Sequence, residues 1–247
     1  MRRMIAILLT GSVIALAACG DDDGSTGSGT TVPDPATSTS GATTTTVPPD
    51  DGELPGEPFD LYPYADAELA VVGVATDDTL NVRSVPGSEG EVLFELEPLN
   101  TGVVATGQNR QLDDGTIWAE VTTDDRTGWA NTSYLLQPGA VEDATAELFP
   151  DPADLPTAAT MDDLAQTIAD SMAGTEEPRP RITIVDGPIE GDLAEITLDV
   201  LGLPDDSVHG LRLHLFAEPT GGGYTLRTIE RTALCGRGVD EASGFCV

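Results

Sequence analysis

Between Glu68 and Leu136 the apolar residues come in short runs, each closed by turn residues. The runs are Leu69–Val74, Val92–Leu96, Gly102–Thr106, Ile117–Val121 and Gly128–Ala130. Five such runs within about 70 residues predict short strands wrapped into a small β-barrel.

Within this region Leu80-Asn81-Val82-Arg83-Ser84-Val85-Pro86-Gly87 resembles the opening signature of a bacterial SH3 (SH3b) domain. Trp118-Ala119-Glu120-Val121 and Gly128-Trp129-Ala130-Asn131-Thr132-Ser133-Tyr134-Leu135 resemble its closing strands, with the Gly102 run correctly placed between the blocks. The resemblance implies an SH3b domain over residues 60–137. Asn109–Gly115 departs from it as a longer polar loop. SH3-type folds take extended peptides on aromatic grooves. The candidate ligand-binding residues are therefore Trp118, Trp129 and Tyr134, with Tyr134 where the resemblance puts a groove tyrosine. The alternative for both tryptophans is packing of the barrel. Asn81 and Arg83 read as structural by the same analogy.

Beyond a linker over residues 138–157, the pattern changes. Thr160 with Asp163 forms a capping box. Met161, Leu164, Ala165, Ile168 and Met172 follow helical spacing, and Gly174 suits the stop. Strand signals then appear at Arg181–Val185, Leu193–Val200, Leu211–Leu215 and Tyr224–Leu234. The Gly202–Asp206 and Thr220–Gly223 stretches carry turn chemistry. The expected architecture is mainly β overall: an SH3-like barrel followed by an α+β domain over residues 158–247, one helix on a four-strand antiparallel sheet. This half resembles no family specifically.

At the N-terminus, Met1-Arg2-Arg3 precedes an apolar run from Met4 to Leu16. The run is too short for a transmembrane helix, which needs ~20 apolar residues. Leu16-Ala17-Ala18-Cys19 closes it, and the whole resembles a bacterial lipoprotein signal ending in a lipobox. The resemblance implies a signal peptide over residues 1–18, lipidation at Cys19 and a two-chain anchor, which holds a protein stably on a bilayer. The expected location is the extracytoplasmic side of the cell membrane. Residues 19–59, rich in Thr, Ser, Pro, Gly and Asp, read as a disordered tether. As a flexible coil its r.m.s. reach is roughly 35 Å; fully stretched it approaches ~130 Å.

The chain has 11 Arg, no Lys and 43 acidic residues. Without residues 1–18 it would carry 9 Arg and a formal charge of −34. Nucleic acid is excluded as a partner, because its binding needs clustered cations. With Cys19 lipidated, Cys235 and Cys246 remain, and in an oxidising compartment they read as one disulfide rather than two free thiols. His209 and His214 are the only histidines. No Gly-x-Ser-x-Gly elbow occurs, no thiol is set up beside a histidine base, and no spaced ligand set implies a metal or other cofactor. Both histidines read as exposed strand or turn residues. Arg212, Arg227, Arg231 and Arg237 read as cross-strand partners of acids, or alternatively as a patch for an anionic ligand. The expectation is a non-enzymatic, lipid-anchored envelope protein whose SH3b domain engages peptidoglycan peptide or an envelope protein. The alternatives are a secreted hydrolase or enzyme modulator working through the C-terminal domain, and a structural spacer.

Overall fold

The computed structural model describes residues 54–173 and 178–247. The expected signal peptide, Cys19, nearly all of the tether and the helix stop at Gly174 lie outside them.

Eight strands build the first half: β1 (Glu57–Pro58), β2 (Glu68–Val71), β3 (Leu80–Arg83), β4 (Val92–Leu96), β5 (Val103–Gln111), β6 (Ile117–Thr123), β7 (Arg126–Asn131) and β8 (Leu135–Asp143). Their hydrogen-bonded order is β8-β2-β5-β6-β7-β3-β4, all antiparallel, with β1 added on β5. Because strand side chains alternate, every second residue points inward. Leu69, Val71, Leu80, Val82, Val103, Ala105, Ala119, Val121 and Ala130 meet in one core. The polar Asn109–Gly115 segment is not a long loop. β5 runs on to Gln111, and β6 resumes at Ile117 after a turn fastened by the bond from Leu112 N–H to the Thr116 carbonyl (2.9 Å). A register shift between Ala105 and Asn109 absorbs the extra residues.

A short helix α1 (Thr145–Leu148), β9 (Thr157–Ala158), helix α2 (Met161–Ala173) and strands β10 (Arg181–Ile189), β11 (Ala194–Leu201), β12 (Val208–Thr220) and β13 (Gly223–Cys235) form the second half. Thr160 caps α2, its Oγ1 accepting from Asp163 N–H at 3.1 Å. Met161, Leu164, Ala165 and Ile168 are buried against Ile196, Leu198, Leu213, Leu215 and Ile229 of the sheet. Gly223 has no room for a side chain: a Cβ there would lie 2.1 Å from the Ala158 carbonyl of β9.

The sheet of this half has two strands more than expected: its order is β10-β11-β12-β13-β8, and β9 is added on β13. The expected linker over residues 138–157 is instead largely built structure. β8 pairs with β2 through Leu135 and Leu136, then with β13 from Gln137 to Asp143. The reason is the free edge of β13, whose backbone groups need partners. β9 pairs with another stretch of β13, and α1 is tied to it by the bond from Ile229 N–H to Thr145 Oγ1 (2.8 Å). The tether also ends earlier than residue 59, since Glu57 and Pro58 pair with Gln111 and Arg110. The two halves thus share β8 and a small apolar seam of Val72, Leu136, Leu201 and Leu234. They form one compact unit.

Candidate functional site

Strand alternation decides which barrel residues face a ligand. Ala119 and Val121 of β6, Ala130 of β7 and Leu80 and Val82 of β3 point into the core. Trp118, Asn131, Trp129, Asn81 and Arg83 therefore share the outer face. Trp118 pairs across strands with Asn131, and Trp129 with Arg83 and Glu120. After β7, a 3-10 turn over Thr132–Tyr134, capped by Asn131 accepting from Ser133 N–H at 2.9 Å, swings Tyr134 beside this face.

A cleft of about 380 Å³ results. Trp118, Tyr134, Asn81, Arg83 and Asn131 line it on the barrel side. The Gly73–Ala75 segment and Asp78 form a second wall, and Thr183 of β10 reaches in from the C-terminal half. Backbone contact between Thr76 N–H and the Ile184 carbonyl (3.3 Å) holds that wall against β10.

The expected aromatic residues divide. Trp118 and Tyr134 line the cleft together, whereas Trp129 is not among its lining residues. Both tryptophans are also packed, at 7% and 4% exposure, so Trp118 offers little more than an edge; its indole N–H donates to Thr116 Oγ1 at 3.3 Å. Tyr134 is half-buried and more open to a ligand. Asn81 and Arg83, expected to be structural, line the cleft as well. Arg83 does both, because its Nη1 donates to the Gly90 carbonyl at 2.7 Å. Thr183 and its neighbour Arg181, whose guanidinium lies 5.4 Å from the Tyr134 ring centroid, have no counterpart in the sequence reading. No local motif marks either, since they enter the site only by folding of the other half.

The cleft wall is fixed from behind by a buried ion pair. Asp199 of β11 is fully buried and accepts from Arg212 Nε (2.8 Å) and Nη2 (2.9 Å), and from the backbone N–H of Gly73 (2.7 Å). Arg212 Nη2 also donates to the Val71 carbonyl at 2.7 Å. This network joins the two halves.

The other C-terminal arginines are held by acids. Arg227 pairs with Glu218, Arg231 with Glu142 and Glu147 (both 2.7 Å), and Arg237 with Asp206 (3.4 Å). The Arg231 guanidinium holds the Glu147 carboxyl below its ordinary range. Arg212, Arg227 and Arg231 thus meet acids of neighbouring strands, and Arg237 meets Asp206 from the turn after β13. His209 is exposed, while His214 is half-buried, 3.1 Å from Glu195 Oε2, 3.7 Å from Glu230 Oε2 and stacked on Phe216. Cys235 and Cys246 stand at disulfide distance, with Cα atoms 5.2 Å apart, closing the terminal turn below β13.

No curated protein and no solved structure matches the chain. The family model described as the bacterial SH3 domain matches residues 78–135, which contain Arg83, Trp118, Asn131 and Tyr134 of the cleft. The barrel that carries this aromatic cleft is a bacterial SH3 domain.

Proposed function

We propose that this chain is an exported, lipid-anchored envelope protein that binds the peptide part of peptidoglycan through its bacterial SH3 domain and catalyses no reaction. The observation that carries the reading is the cleft on the outer face of β3, β6 and β7, with Trp118 in its floor and Tyr134 at its side. An extended peptide suits an aromatic-sided groove of this kind, because the rings offer apolar area at little cost in side-chain entropy. Bacterial SH3 domains are generally wall-binding modules, which agrees with an anchor at Cys19. The tether would let the domain search the wall while the lipid stays in the bilayer.

Retention on purified sacculi tests the binding. The full chain in detergent should sediment with sacculi, and Tyr134→Ala should reduce retention several-fold at a temperature where circular dichroism shows the variant still folded. Absence of wild-type retention refutes wall binding and favours an envelope protein as the ligand or a spacer role. For the anchor, globomycin should block processing at Cys19, and an unaltered mature mass refutes it.

One observation favours a hydrolase or enzyme modulator as the second reading. A smaller cleft of about 270 Å³ gathers His214, Glu195, Glu230, Asp186 and Arg212 on the sheet face opposite α2. Its glutamates are 39% and 50% exposed, and Arg212 is engaged by Asp199. Acid–base catalysis draws on groups held in more enclosed surroundings than these.

A further inference from the structure

We infer that Arg181, with Arg83, makes the cleft a receptor for a carboxylate carried by an extended peptide. This rests on the peptide reading above and adds what the peptide must carry.

The pattern of arginine pairing singles these two out. The chain has 43 acidic residues and 11 arginines. Arg126, Arg212, Arg227, Arg231 and Arg237 each contact a carboxylate. Arg83 contacts a backbone carbonyl and Arg181 an aromatic ring. Among the described residues neither has a carboxylate within 4.0 Å. They belong to different halves of the molecule: Arg83 lines the cleft, and Arg181 stands beside it, over the Tyr134 ring and against Gly73, both of which line it.

Arg181 is held in place by shape. Its guanidinium lies over Tyr134 and against Gly73, where a Cβ would come within 2.6 Å of Nη2. Gly73 has φ of +63°, and its N–H is bound by Asp199. The arginine also lines a second cavity, about 490 Å³, together with Thr132, Ser133 and His209. It therefore stands where the two cavities approach each other. A guanidinium over a ring face keeps its edge N–H groups for a planar, bidentate acceptor, and a carboxylate is such an acceptor. Asp78 belongs to the same wall as Gly73, and its Oδ1 accepts from Thr79 N–H at 2.8 Å. The excess negative charge of the chain does not forbid this, since exposed charges are screened beyond about 8 Å at physiological ionic strength.

The test uses the full chain in detergent and two fluorescein-labelled stem-type peptides, one with free carboxylates and one with every carboxylate amidated. Fluorescence anisotropy should show the free acid binding about tenfold more tightly, as expected for one charge-assisted contact. Arg181→Gln should abolish that preference, Arg181→Lys should restore part of it, and added salt should weaken it. Arg181 is exposed, so both variants should melt with the wild type. Equal affinity for the two peptides, or an undiminished preference in Arg181→Gln, overturns the carboxylate assignment and leaves peptide binding standing. Failure of both peptides to bind overturns both.

Discussion

The barrel and the C-terminal sheet handle their outward faces in opposite ways. On β11, β12 and β13, one face is covered by α2, with Leu198, Leu213 and Ile229 beneath it. The other is covered by Asp199 and Arg212, by His214 between two glutamates, and at one end by the barrel itself. Little of this sheet is left for a ligand beyond the shallow His214 cleft. Among the described residues the barrel has no α-helix over its outer face. Its core is made of Leu69, Leu96, Val71, Val82, Ala105 and Ala119, while Trp118 and Trp129 go to the outer face. A sheet covered by a helix on one face and by ion pairs and the barrel on much of the other serves as support; the outer face of the barrel carries the aromatic cleft.

Asp199→Ala tests most severely whether the two halves are separate. It leaves the Gly73 N–H without its acceptor and Arg212 without its carboxylate. Breaking one side of a buried pair costs about 3–5 kcal/mol, and chemical denaturation should show a loss of that size. Trp118 and Trp129 both lie in the barrel, so their fluorescence follows one half while far-UV circular dichroism follows both. In the wild type the two signals should move together; two separated transitions would show that β8 and the seam do not couple the halves.

Removing the terminal clip should matter less and should act mainly on the C-terminal half. Cys246→Ser opens the loop from Cys235 and should lower stability by roughly 2–3 kcal/mol on chain-entropy grounds. Identical denaturation midpoints for the variant and the reducing-agent-treated wild type are expected. Free thiols in the untreated wild type would remove the clip altogether.

Acid should give the smallest effect. Hydrogen bonds from the Val208 and Ser207 N–H groups hold the Asp205 carboxyl below its ordinary value of 3.8, and Thr145 and Ser243 do the same for Asp143 and Asp240. In the barrel, Thr116 does so for Asp114. A carboxyl with a depressed folded pKa contributes stability that is fully present above its unfolded pKa and lost as pH falls through the folded one. Melting temperature should therefore decline below about pH 4. NMR titration should find the three carboxyls of the C-terminal half below the ordinary value, and titration at that value would contradict the turn geometry.

Much of the fold was legible because it is written in local chemistry. The Leu80–Gly87 and Gly128–Leu135 blocks pointed to the barrel, and alternation in Leu193–Val200 marked β11 and its core-facing Ala194, Ile196, Leu198 and Val200, although Thr197 and Asp199 on its other face are buried as well. The Thr160 cap and the spacing of Met161, Leu164, Ala165 and Ile168 did the same for α2. Residues 138–157 were illegible as structure because Gly139, Ala140, Glu142 and Asp143 have little strand preference of their own. Their pairing depends on the open edge of β13, far away in sequence. Half of the cleft had the same obscurity. Trp118 and Tyr134 belong to a motif, but Arg181 and Thr183 do not.

By itself, local sequence pattern placed helix α2, the aromatic residues and most of the strands, though not β8 or β9, since strand alternation, helix periodicity and turn chemistry act over a few residues. Only the tertiary structure decided that β8 belongs to both halves, that Asp199 binds the Gly73 backbone, and that Arg181 stands over Tyr134. Those outcomes depend on surfaces meeting across 64 to 98 residues in the first case, 126 in the second and 47 in the third, where backbone edges and charges buried together must find partners.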